Sequence, residues 1–185
     1  MASPPILFLN GTSSSGKTTT ARAFQRLWPE PVLYASNDAF IFMAPEQALK
    51  DDHVRPKVLL PLLSAFHRAL PIIAATGLPV IIDHVLETEE WVRECVEGLA
   101  RYEVLWIGVK CPLDELERRE KARGDRQIGI ARWQYERVHR FGAYDFELDT
   151  HANSPEQCAA LLKELLRSGH KGEAFERLRK GFAAG

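Results

Sequence analysis

Cysteine is scarce: Cys95, Cys111 and Cys158 are the only three in the chain, an odd number with no paired spacing. That argues against a disulfide framework or a zinc site and suits a reducing, cytoplasmic setting. Neither sign of charge dominates, since 24 Lys and Arg face 25 Asp and Glu for a formal net charge of −1. Nothing global therefore favours nucleic acid or an anionic membrane as a partner, and any anion site must be local. Uninterrupted apolar runs fall short of the ~18 residues that a membrane-spanning helix needs. The opening Met1-Ala2-Ser3-Pro4-Pro5 has no basic region ahead of an apolar stretch, so no secretory leader is expected.

What is present is the pattern of an α/β protein: short apolar runs alternating with longer helical stretches, which implies a mostly parallel sheet. Strands are expected at 6–10, 32–35, 80–83, 102–109 and 146–149. Helices are expected at 17–27, 88–99, 114–122, 131–140 and 155–166, with Thr88 as a cap and Glu89 and Glu90 in the first turn after it. Residues 57–75 are helical in pattern, but Pro61 and Pro71 should kink or interrupt them. Residues 44–55, polar and broken by Pro45, read as a surface excursion. The expected organisation is one domain over 1–167 with a lid around 119–130, and a helical or flexible tail over 168–185.

The strongest motif is Gly11-Thr12-Ser13-Ser14-Ser15-Gly16-Lys17-Thr18, a phosphate-binding loop matched at every defined position between a strand and a helix. Its glycines let the backbone curl so that N–H groups point at a β-phosphate, aided by the helix N-terminus. Lys17 would supply charge to the β- and γ-phosphates and Thr18 a hydroxyl to Mg²⁺, with Thr19 completing the nucleotide-binding run. ATP and Mg²⁺ are the implied cofactors.

Other candidates are weaker by themselves. Asp83 ends an apolar strand, where a carboxylate could hold Mg²⁺ through water or merely cap a helix. His84 behind it could face the site or pack. Asp38 follows the second strand, at the sheet edge where substrates bind; it is either a general base for an attacking hydroxyl or an Asx-turn residue of Ser36-Asn37-Asp38. Arg118, Arg119, Arg123 and Arg126 form the densest cationic cluster and run into Gly124-Asp125, as a hinged lid over a transferring phosphate would. Glu115, Glu117 and Glu120 intersperse them at helical spacing, which is also how a solvated face looks. Trp133 and Tyr135 could line a pocket or belong to the core, and His53 and His67 have no motif context.

The loop, together with Pro29-Glu30-Pro31, Asp38, Val80-Ile81-Ile82-Asp83, Val104 to Cys111, Ala122-Arg123-Gly124-Asp125-Arg126, Val138-His139 and Tyr144 to Thr150, resembles the chloramphenicol phosphotransferase family. The resemblance implies a P-loop three-layer α/β/α fold with a mainly five-stranded parallel sheet, akin to nucleoside-monophosphate kinases. It implies ATP-dependent phosphorylation of the drug's 3-hydroxyl as an inactivation reaction, with Asp38 and Lys17 catalytic. It also implies that Arg123 and Arg126 are lid arginines at the triphosphate, with Arg119 on the nucleotide. Two features depart from the family: residues 44–55 are shorter than its excursion, and His84 stands where a second acidic residue is expected. Two further readings stand beside this one, a metabolite or nucleotide kinase of the same architecture and a non-catalytic ATP-binding regulatory module. Only Lys50, Arg55 and Lys57 are basic between 36 and 57, too few for an arginine-rich phosphate clamp, which favours an uncharged acceptor.

Overall fold

The computed structural model describes residues 4–124 and 128–184. Five parallel strands, β1 (Ile6–Asn10), β2 (Leu33–Ser36), β3 (Val80–His84), β4 (Val104–Lys110) and β5 (Phe146–Asp149), form one sheet in the order β2-β3-β1-β4-β5. Parallel neighbours cannot be joined by tight hairpins, so helices cross over both faces. These are α1 (Lys17–Leu27), α2 (Asn37–Ile41), α3 (Glu46–Lys50), α4 (Arg55–Ala74), α5 (Glu89–Gly98), α6 (Leu113–Arg123), α7 (Ile130–Tyr135), α8 (Pro155–Arg167) and α9 (Ala174–Ala184).

Alternation along the strands divides the core. Ile6, Phe8, Ile82 and Trp106 face α4, α5 and α9, whereas Leu7, Leu9, Ile81 and Ile107 face α1 and α8. Both strand faces are buried, as the near-continuous apolar runs require, and the result is the expected three-layer α/β/α sandwich. Register does the functional positioning: Leu9 pairs with Asp83, Asn10 with His84 and Gly108, and Ser36 with Asp83. The polar ends of β1, β2 and β3 thus finish at one edge of the sheet.

Several boundaries differ from expectation. The helix α4 runs unbroken through Pro61 and Pro71. Pro61 lies on the exposed side and so does Lys57, whose carbonyl the missing N–H leaves without its helical partner. This helix alone among the described residues has the length and composition to span a bilayer, yet Leu63, Phe66, Leu70 and Ala74 are buried against the sheet. The helix α7 stops at Tyr135 instead of Arg140 because Val138 is pulled into the core and its carbonyl accepts a hydrogen bond from Asn10 Nδ2 (2.9 Å). The excursion at 44–55 contains α3 and a turn in which Asp51 Oδ1 accepts from the backbone N–H of His53 and Val54. Near the C-terminus, Asp145 Oδ1 accepts from the backbone N–H of Glu173 and Ala174 at the start of α9. Phe175 of that helix packs on Phe8 and Trp106, at ring separations of 5.4 and 5.7 Å.

Candidate active site

The loop between β1 and α1 is tightly curled. A Cβ on Gly11 would sit 2.6 Å from the Val109 carbonyl oxygen, so only glycine lets the chain leave β1 beside β4. Ser14 (φ 62°) and Gly16 (φ 89°) both take left-handed conformations, a strained arrangement for the serine. The helix α1 begins without a side-chain cap, so its first backbone N–H groups are directed into the hollow of the loop. Ser14 Oγ and Ser15 Oγ are buried with no hydrogen-bond partner among the described residues. A ring of N–H donors, two orphaned hydroxyls and a buried ammonium suits a phosphate chain chemically.

The Lys17 ammonium donates to the carbonyls of Gly11 (2.9 Å) and Thr12 (2.8 Å) and lies 3.7 Å from Asp83 Oδ1. Thr18 Oγ1 donates to Asp83 Oδ2 (2.8 Å), and the Tyr34 hydroxyl donates to the same oxygen (2.8 Å). Asp83 is 3% exposed. Burial and the Asp83 charge push the Tyr34 phenol up to about 12, so it stays a donor. Because Thr18 gives its proton to Asp83, its lone pairs remain available, and a hydroxyl with a carboxylate behind it is a hard-oxygen pair of the kind Mg²⁺ takes, often through water. Thr19 Oγ1 donates to the Gly16 carbonyl and closes the loop's end.

A cleft of about 1260 Å³ opens over this loop. Ser13, Ser14, Gly16, Lys17, Thr18 and Thr19 line one end of it, whereas Gly11, Thr12 and Ser15 lie beneath. Asp38 and Asp83 line it together, with Arg118, Arg119 and Arg123 on a further wall. Asp38 lies in the first turn of α2, where Ser36 Oγ accepts from its backbone N–H (3.2 Å), so the local turn is made by the serine side chain. Arg119 is fixed beside the loop: it donates to Glu115 Oε1 (2.7 Å) and the Thr150 carbonyl (2.8 Å), and Thr150 Oγ1 donates to the Ser15 carbonyl (2.6 Å). Arg118 is mostly solvated, and its hydrogen bonds with those of Arg119 hold the Glu115 carboxyl down at about 2. Arg126 lies outside the described residues.

Four residues that sequence reasoning passed over or misread organise this site. Glu120 is not part of a solvated face; it is 1% exposed and accepts from the backbone N–H of Gly129 (2.7 Å) and Ala131 (2.8 Å), capping α7. Gln134 Oε1 accepts from the Ser13 N–H (2.7 Å) while its Nε2 donates to Glu87 (2.8 Å). Asn10, fully buried, accepts from the Leu86 N–H and donates to the Val138 carbonyl and the Tyr144 hydroxyl, each at 2.9 Å. Tyr34 completes the set. The one legible signal was Asn10, a polar residue closing an apolar strand. Trp133 is neither core nor pocket wall: it is 59% exposed and stacks under Arg137. Tyr135 is 39% exposed.

His84 packs instead of facing the cleft. Its Nδ1 accepts from the Val85 N–H (2.7 Å), so the ring proton sits on Nε2 and is donated to His67 Nε2 (2.6 Å). His67 then donates from Nδ1 to the Glu94 carboxylate. Burial lowers the pKa of both imidazoles, for His67 against the pull of Glu94. Cys95 lies within 4.8 Å of both rings, but a cation held by the two Nε2 atoms would displace the proton between them and set two N–H donors face to face at Val85. The cluster is a directed hydrogen-bond chain.

The model of the chloramphenicol phosphotransferase-like protein family matches residues 4–167. A Mycobacterium tuberculosis (strain ATCC 25618 / H37Rv) protein, provisionally named an O-phosphotransferase, is 34% identical over 199 residues, covering 96% of this chain and 88% of its own. Among solved structures, the Mycobacterium tuberculosis APS kinase CysC in complex with AMPPNP and APS superposes with a TM-score of 0.68 at 16% identity, covering 90% of this chain and 99% of that one. The Deinococcus radiodurans tunicamycin resistance protein gives 0.62 at 18% identity, over 88% and 95%. A gluconokinase from Sinorhizobium meliloti 1021 gives 0.58 at 16% identity, over 99% and 98%. At these identities the structural likeness establishes the fold, that of P-loop kinases.

Proposed function

This chain belongs to the chloramphenicol phosphotransferase-like family and is a kinase-type phosphotransferase, and we propose that it moves the γ-phosphate of ATP to a hydroxyl of an uncharged small molecule, chloramphenicol being the first candidate. One observation carries this reading: Lys17, Thr18, Asp83 and Asp38 border a single cleft, over a loop with orphaned hydroxyls and an uncapped helix start.

In this reading the loop N–H groups and Lys17 hold the β- and γ-phosphates, Thr18 and Asp83 hold Mg²⁺, and Arg119 lies along the nucleotide. Bound there, Mg²⁺ would neutralise charge on the phosphate oxygens. Asp38 accepts the acceptor's hydroxyl proton as the new O–P bond forms and the bond to the β,γ-bridging oxygen breaks, releasing ADP. Arg123 and Arg126 act as lid arginines over the transferring group. The acceptor end of the cleft supports an apolar body, since Ile41, Phe42, Leu59, Leu63 and Trp91 border it. A reducing compartment that supplies ATP suits the three free, buried cysteines.

The test is ADP release and phosphorylated product over a panel of chloramphenicol, nucleotides and hydroxylated metabolites. Turnover of another acceptor with none of chloramphenicol leaves a metabolite kinase; no turnover with intact ATP binding favours the regulatory module. Asp38→Asn is expected to lower kcat by ~10²–10⁴ while ATP binding persists. Near-normal turnover in that variant refutes the assignment of the base.

A further inference from the structure

We infer that Tyr34 is a positioning residue for the divalent cation: its hydroxyl fixes the Asp83 carboxylate in the orientation that makes Thr18 a cation ligand. The inference rests on the Mg²⁺–nucleotide reading above and deepens it.

Asp83 Oδ2 receives two hydroxyl protons, from Thr18 and from Tyr34, each at 2.8 Å. The phenol also reaches Thr18 Oγ1 at 3.4 Å, a much longer contact than its 2.8 Å bond to Asp83, which is where its one proton is held. Each hydroxyl has one proton, so with both directed at Asp83 neither is left to occupy the Thr18 lone pairs. Asp83 has a competing partner, because Lys17 Nζ stands 3.7 Å from Oδ1. A carboxylate with Thr18 as its only hydroxyl partner is free to rotate toward that ammonium. Thr18 then loses its acceptor and turns its proton into the space a cation would use. Tyr34 opposes this rotation by holding Oδ2 from the neighbouring strand, where Ser36 and Asp83 are in register.

The phenol is itself held. Its ring lies 4.2 Å from the Arg22 guanidinium of α1, and its own strand is hydrogen-bonded to β3. Partners that orient a metal-binding carboxylate from behind commonly set metal affinity without touching the metal. The geometry therefore separates two properties: phosphate binding belongs to the loop and Lys17, whereas cation affinity depends on Tyr34 through Asp83.

Tyr34→Phe tests this, because the ring and its contact with Arg22 survive and only the hydroxyl is lost. Binding of a fluorescent ADP analogue is measured in EDTA and across a Mg²⁺ titration, alongside thermal unfolding without cation. The expected result is a Mg²⁺ half-point raised about 10–100-fold, with nucleotide affinity in EDTA unchanged within about twofold and kcat recovering at high Mg²⁺. An unchanged Mg²⁺ half-point overturns the inference. So does an equal loss of affinity with and without Mg²⁺, which marks Tyr34 as packing for the loop. Wild-type protein whose nucleotide binding ignores Mg²⁺ overturns the cation site itself, and the inference with it.

Discussion

Replacing Glu120 by glutamine isolates the contact that joins α6 to the start of α7. The carboxylate is 1% exposed and takes one N–H on each oxygen, from Gly129 at 2.7 Å and Ala131 at 2.8 Å. Glutamine keeps one acceptor and puts an amide NH₂ against the other N–H. The variant loses a hydrogen bond to a charged group, about 1.5–3 kcal/mol, and leaves a buried donor unsatisfied, about 1–3 kcal/mol. These overlap, so the combined cost is roughly 2–4 kcal/mol. If α7 unfolds with the rest of the chain, Tm falls by about 4–16 °C for a protein of this size. Amide hydrogen exchange reads the contact directly, because Gly129 and Ala131 precede the first helical hydrogen bonds of α7 and are bonded to Glu120. At one decade per 1.4 kcal/mol, exchange at both amides should quicken by roughly 30-fold or more. Exchange unchanged at both positions refutes the reasoning, whatever Tm does.

Gly108→Ala places a Cβ 2.4 Å from Tyr144 Cδ2 and forces the ring that holds Asn10 to move. A loss of about 1–3 kcal/mol is expected as a lower urea midpoint with an unchanged m-value, and an unchanged midpoint counts against the packing described. Burial, reinforced by Lys110 and Lys17, depresses His139 to about 4 in the folded protein against an ordinary value of 6.5. The unfolded chain therefore binds more protons between those values, so His139's contribution is complete above about pH 6.5 and is lost as pH falls toward 4. His139→Gln should flatten the fall of stability in that window, and parallel pH profiles for the two proteins would count against the assignment. His67 and His84, also depressed by burial, add to the same fall, and Glu115, held down at about 2, adds to it from about pH 4.5 downward, so His139 is read as the difference between the two profiles.

Legibility in the sequence followed the range of the interactions. The strand β1 and helix α1 emerge at their expected limits because the glycine loop punctuates both locally. Thr88 caps α5 as expected for the same reason, its hydroxyl accepting from the Trp91 N–H three residues on. Misreadings arose where a distant partner overrode a local rule. The end of α7 is set by Asn10, 128 residues away from Val138 in the chain. Glu120 carries the spacing of a surface charge, and only the return of the chain at Gly129 buries it. Pro61 reads as a helix breaker until its place on the exposed side is known. Tyr34 is indistinguishable from an ordinary β-prone aromatic until the register of β2 with β3 brings its hydroxyl to Asp83.

The site's frame and its charges are built from different chemistry. Two primary amides, Asn10 and Gln134, tie the loops after β1 and β3 to the segment carrying α7. An amide can accept from a backbone N–H and donate to an oxygen at once, so it bridges two loops in a buried position without placing an uncompensated charge there. Asn10 uses its oxygen and both amide protons in this way, and its exposure is 0%. A lysine or aspartate at either position could serve only one polarity and would have to be neutralised. Formal charge is kept at Lys17, Asp83 and Arg119, where each ion has a compensating oxygen or hydrogen-bond donor within reach. Neutral bridges hold the phosphate-binding loop in shape, which leaves its charged groups available to respond to a ligand.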